Sequence, residues 1–112
     1  MGAQLVFRFR NVLTTSSGTR VALYMDLFKI SPPHDPCYPE GFKFSWIAFD
    51  PENPEIRILF DCHSPKGPHL HIDSDPVGTS FKWTSLENAR SLFYLKVIDH
   101  FGEHPILRGG VL

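Results

Sequence analysis

Residues 81–102 read Phe-Lys-Trp-Thr-Ser-Leu-Glu-Asn-Ala-Arg-Ser-Leu-Phe-Tyr-Leu-Lys-Val-Ile-Asp-His-Phe-Gly, and the spacing of their apolar positions decides the fold class. Phe81 and Trp83 still follow the two-residue period of a strand. From residue 84 the period changes. Leu86, Ala89, Leu92, Phe93, Val97 and Phe101 recur three and four apart, which predicts one amphipathic helix of about four turns over 84–101. Thr84 and Glu87 fit a capping box with Thr84 as N-cap. Gly102 is a natural stop, and 102–112 reads as a mobile tail.

Upstream, the period is two throughout. Leu5, Phe7 and Phe9 alternate with Arg8 and Arg10, and Val21, Leu23, Met25 and Leu27 share one face of a second strand. Thr14-Thr15-Ser16-Ser17-Gly18 between them reads as a hairpin turn. Residues 31–41 hold four prolines, a density no helix or central strand survives, so they form a surface loop. Phe42, Phe44, Trp46 and Ala48 mark a third strand, and Asp50–Glu55 a proline turn. Ile56, Ile58 and Phe60 mark a fourth strand, Leu70 and Ile72 a fifth, and Phe81 and Trp83 a short sixth. Strands followed by one helix predict an α+β fold, a twisted antiparallel sheet of about six strands with a C-terminal amphipathic helix packed on it. All 112 residues read as a single domain: hairpin 3–30, proline loop 31–41, sheet strands 42–83, helix 84–101 and tail 102–112.

Composition narrows the function classes. Hydrophobic residues are 42% and charged residues 21%, ordinary globular proportions that exclude disorder as the main state. No apolar run approaches the ~20 residues of a membrane-spanning helix, and the N-terminus lacks the pattern of a signal peptide. The net charge of -1 argues against a high-affinity duplex-DNA binder. The balance is uneven, though: residues 1–30 hold four bases and one acid, enough for a mildly positive face. Cys37 and Cys62 have no CxxC spacing and read as reduced thiols, with Cys62 a small core residue. Two reduced thiols are what a cytoplasmic protein is expected to carry.

The chemistry concentrates at 61–73, Asp-Cys-His-Ser-Pro-Lys-Gly-Pro-His-Leu-His-Ile-Asp, where three of the six histidines fall within nine residues. On a strand, His69 and His71 point the same way, with Asp73 continuing the row. Asp61 and His63 share a face of the preceding strand, and the corner between the strands brings Lys66 near. Three readings compete. The first is RNA cleavage without cofactor or metal: His69 and His71 divide the general acid and base roles, Lys66 holds the charged phosphorane, and Asp61 orients an imidazole. The second is a metal site, with His69 and His71 as two ligands and Asp61, His63 or Asp73 as a third. The third is a non-catalytic binding or regulatory surface for a protein partner or anionic ligand. Solvated histidines at a strand edge are the ordinary alternative to all three. Arg8, Arg10 and His63 are candidate substrate contacts, with solvated surface as the alternative for the arginines. Trp46 and Trp83 read as packing rather than base-stacking residues, and His100 and His104 suit the negative end of the helix dipole.

A Phe-Lys-Phe-Ser-Trp strand (42–46), an Asp-Pro-Glu-Asn-Pro turn (50–54), Leu-Phe-Asp (59–61), Lys-Gly-Pro-His-Leu-His-Ile-Asp (66–73) and Trp-Thr-Ser-Leu-Glu-Asn-Ala (83–89) follow one another in this order. The order resembles the TumE-type toxins of toxin–antitoxin pairs, over residues 20–103. Its most specific part is Lys66, Gly67, His69 and His71, with Asp61 upstream. The resemblance implies a prokaryotic cytoplasmic protein that inhibits growth and is held in check by a cognate antitoxin, typically a helix-turn-helix protein. RNA cleavage comes from the residues and not from the resemblance. The proline loop at 31–41 and His63 depart from the family pattern and put substrate access in doubt. The oligomeric state stays open between monomer and dimer.

Overall fold

Residues 2–109 are described by the structure, a computed structural model. β1 (Ala3–Thr14), β2 (Arg20–Ile30), β3 (Phe42–Asp50), β4 (Asn53–His63), β5 (Gly67–Ile72) and β6 (Thr79–Ser80) form one sheet in chain order. Every neighbouring pair is antiparallel. Helix α1 (Leu86–Phe101) follows, then a short α2 (Pro105–Gly109). The fold is α+β, with the helix packed on one face of the sheet.

The core lies between α1 and that face. Leu23, Met25, Leu27, Phe44, Trp46, Ala48, Ile58, Phe60 and Cys62 supply the sheet side, the alternate positions that period-two reading selects. Ala89, Phe93, Val97 and Phe101, each four residues apart, supply the helix side together with Tyr94. Phe93 packs on Trp46 and Phe60 at ring distances of 5.7 and 5.2 Å. The Tyr94 hydroxyl reaches the Met25 sulfur at 3.6 Å. The helix therefore packs on β2, β3 and β4.

Four local expectations need correction. The helix cap is Ser85 and not Thr84. The extended Ser85 backbone (φ -161°) lets its Oγ accept from Asn88 N–H at 3.0 Å, while Thr84 Oγ1 accepts from Asn88 Nδ2 at 2.7 Å. Glu87 thus sits one position early for a capping box. The sixth strand is Thr79–Ser80; Phe81 and Trp83 leave the ladder to pack on Phe44 on the core side. β4 begins at Asn53, so the β3–β4 turn is shorter than its two prolines suggest. The tail contains α2, whose Leu107 is buried; residues 110–112 lie outside the described residues.

The C-terminal segment is tied to the β1–β2 turn. Ser16 N–H donates to Glu103 O at 2.8 Å. Gly102 (φ 114°) sits so close that an added Cβ would lie 2.9 Å from Ser17 Oγ. At the outer edge, β1 is long and exposes Leu5, Val6 and Val12, and its ladder slips between Leu5 and Phe7. Among the described residues no helix is long and apolar enough to cross a membrane.

Candidate functional site

The second face of the sheet carries no helix, and the ladder lines its polar residues into one transverse row. Arg8 pairs with Asp26, Asp26 with Ser45, Ser45 with Asp61, Asp61 with His69 and His69 with Ser80. A strand spacing of about 4.8 Å puts Arg8 about 14 Å from Asp61 along the row. The next row holds Arg10, Tyr24, Ile47, Leu59 and His71.

The β4–β5 hairpin gathers the site. β4 runs to His63, so Asp61 and His63 share the open face. Its partner β5 brings His69 opposite Asp61 and Gly67 opposite His63. The result is a row of three imidazoles, His63, His69 and His71, with each neighbouring pair edge-to-face at 5.0 Å between ring centres. His69, in the middle, is 3% exposed. His63 Nε2 lies 3.6 Å from Asp61 Oδ2, so the carboxylate stands beside His63, not His71.

All three rings are held in the same way. His63 Nδ1 contacts Ser64 O at 3.3 Å, His69 Nδ1 Gly67 O at 2.8 Å, and His71 Nδ1 Asp75 O at 2.9 Å. A carbonyl oxygen only accepts, so Nδ1 carries the proton in each and Nε2 keeps its lone pair when the ring is neutral. Each such ring offers one basic nitrogen. His71 is further fixed by Gly78 (φ 76°), where an added Cβ would meet its ring at 2.6 Å.

Asp73 leaves the row. Its left-handed backbone (φ 55°) turns the carboxylate towards Arg57 N–H at 3.0 Å and His100 Nε2 at 2.7 Å. Burial works against its charge, but the His100 and Arg57 hydrogen bonds prevail and lower its pKa. Asp73 therefore anchors the helix end to β4 and does not serve as a third ligand. His100 is its partner rather than only a dipole-stabilising group. Of the donors in the metal reading, Asp61, His63 and His69 are the ones that cluster, with one ligand atom from each within 4.8 Å of the others.

Lys66 sits exposed in the β4–β5 turn. Arg8 and Arg10 both bind Asp26. Arg8 Nε donates to Oδ1 at 2.9 Å and Arg10 Nη2 to Oδ2 at 2.9 Å. The Arg10 hydrogen bond, against some burial and helped by Arg8, holds the Asp26 carboxyl below its usual range. The Arg10 guanidinium also lies 5.1 Å from the Tyr24 ring centre.

The proline loop braces the hairpin from the core side. Tyr38 Oη accepts from Ser64 N–H at 3.2 Å, and Ser64 Oγ donates to Asp35 at 2.9 Å. The Cys62 thiol donates to Cys37 O at 3.5 Å, and burial pushes its pKa up to about 12, which leaves it inert. Trp46 is fully buried, and Trp83 donates to Glu40 at 2.8 Å, so both pack as expected. Sequence reading missed the cradle of His71, because Asp75-Pro76-Val77-Gly78 signals only a turn. It also missed Tyr24, Ile47 and Leu59 on the open face, whose period-two spacing was masked by apolar neighbours on both sides. A separate cavity of about 440 Å³ opens at the β1–β2 turn, between Thr14, Ser16, Glu103, His104 and Arg108; no hairpin histidine lines it.

No protein-family model matches the chain, and neither a curated protein nor a solved structure does.

Proposed function

We propose that this chain is the toxin of a prokaryotic toxin–antitoxin pair, acting in the cytoplasm by metal-independent cleavage of RNA. The observation that carries the chemistry is the row of imidazoles whose Nδ1 atoms are all tied to main-chain carbonyls. An imidazole can accept a proton at a free ring nitrogen or donate one when protonated, so neighbouring rings can divide the two roles. His69 and His71 divide these roles. A neutral Nε2 takes the proton of the RNA 2′-hydroxyl, and the 2′-oxygen bonds to phosphorus. The bond from phosphorus to the 5′-oxygen breaks, and a protonated imidazole gives that oxygen its proton. The products are a 2′,3′-cyclic phosphate and a 5′-hydroxyl.

Lys66 meets the phosphorane charge from the turn. Asp61 stands 3.6 Å from His63 Nε2 and holds that ring once it is protonated. Arg8 and Arg10 offer charge at the far end of the open face, and Tyr24, 38% exposed, offers a stacking surface between. The Lys-Gly-x-His-x-His motif supports the toxin role through its resemblance to TumE-type proteins, and implies a helix-turn-helix antitoxin as partner.

The test is induced expression in a bacterial host of the wild type beside the His69→Ala/His71→Ala variant, with total RNA examined early. Growth arrest with new RNA 5′-hydroxyl ends from the wild type alone is expected. Equal RNA cleavage from both refutes the site. Arrest from both without RNA change turns the reading to a surface that binds a protein partner.

A further inference from the structure

We propose that Asp61, His63 and His69 bind one late first-row divalent cation, with Zn²⁺ the preferred ion. One donor atom from each residue already lies within 4.8 Å of the other two, and the closest contact given is His63 Nε2 to Asp61 Oδ2 at 3.6 Å. Three donors at 2.0–2.1 Å around a tetrahedral ion stand about 3.3 Å from one another. The widest gap in this cluster therefore closes with a movement of about 1.5 Å, within reach of small side-chain rotations on a fixed ladder.

Two features suit this grouping to a cation. The first is the tautomer. His63 and His69 both commit Nδ1 to a main-chain carbonyl, the outer contact that orients metal-binding histidines and leaves Nε2 as the ligand atom. The second is burial. His69 is 3% exposed, and among the described residues its only hydrogen bond is the one through Nδ1. His69 Nε2 keeps access to solvent, has no hydrogen-bond partner, and stands beside a carboxylate and a second imidazole, a donor set that a cation can join.

The donor set selects the class of ion. Two imidazoles and one carboxylate suit Zn²⁺, Co²⁺, Ni²⁺ and Cu²⁺, whereas Mg²⁺ and Ca²⁺ favour oxygen ligands. Three protein ligands leave a fourth position open to water or a substrate oxygen. His71 stays outside the set, its Nδ1 bound to Asp75 O on the other side of His69. Binding does not rest on the RNA-cleavage reading but competes with it, because an ion on His69 Nε2 would occupy the lone pair that reading uses.

The test titrates the chelator-stripped full chain at neutral pH with Co²⁺ alone and then Zn²⁺ alone. The expected result is a visible Co²⁺ ligand-field band that saturates at one equivalent and is abolished by one equivalent of Zn²⁺. His63→Ala and Asp61→Ala should each weaken Zn²⁺ binding by more than about 100-fold, beyond the loss typical of an outer contact. His34→Ala, in the proline loop, should leave it unchanged. His63 has 44% of its side chain exposed, so its variant keeps the fold, as far-UV circular dichroism will verify. Absence of a saturable band, or binding that survives both His63→Ala and Asp61→Ala, overturns the proposal. Neither readout depends on RNA or on growth.

Discussion

Gly78→Ala tests the placement of His71 without touching a histidine. Residue 78 has φ 76°, and a Cβ there would lie 2.6 Å from His71 Cε1 and 2.9 Å from both ring nitrogens. A left-handed backbone costs an alanine about 1–2 kcal/mol. Displacing the ring adds an off-rotamer cost of about 0.5–1.5 kcal/mol, and the broken Nδ1 bond to Asp75 O adds about 0.5–1.5 kcal/mol. Gly18→Ala supplies the reference, because Gly18 has φ 88° and nothing within 4 Å of an added Cβ. It carries the backbone cost alone. Urea unfolding should therefore place Gly78→Ala about 1–3 kcal/mol below Gly18→Ala, with equal slopes. Imidazole NMR resonances should shift for His71 only in the first variant, and RNA cleavage should fall only there. Equal stabilities with an unmoved His71 resonance would refute the cradle and, with it, the account of how the ring is held.

Two other expectations follow from local geometry. Ser85→Ala should cost about 1 kcal/mol in urea unfolding and Thr84→Ala only a few tenths, because only Ser85 satisfies a helix N–H; the reverse order would restore the Thr84 cap. Asp26 contributes stability above its unfolded pKa of about 3.9 and loses it as pH falls through its lower folded value. Urea midpoints of wild type and Asp26→Asn should then converge towards acid pH, and a gap constant with pH would count against the arginine clamp.

The strands were legible because Leu23, Met25, Leu27 and Phe44, Trp46, Ala48 alternate cleanly, and only one face of this sheet is covered. The helix was legible for the same reason, from the four-residue spacing of Ala89, Phe93, Val97 and Phe101. The site was half legible. Period two placed His69 with His71 and Asp61 with His63, and the hairpin register joins the two pairs. What periodicity cannot carry is the backbone at single residues. Asp73 takes a left-handed conformation, so its side chain abandons the row that strict alternation assigns to it. The cap failed for a related reason: Thr84 and Ser85 offer the same hydroxyl, and the extended Ser85 backbone puts its Oγ on the Asn88 N–H. The short tail helix follows a main-chain contact of Ser16 with Glu103, which no local pattern encodes.

The two borders of the sheet are unequal, and this limits how copies can assemble. β1 presents 12 residues on one side, while β6 on the other has two. A head-to-tail stack needs two borders of matching length to grow into a filament. Here the short border gives a neighbour almost no ladder to extend. Two β1 strands can still meet about a twofold axis, and that union consumes both long borders at once. Any pairing of copies by strand addition therefore finds its longest ladder along β1 and its shortest along β6.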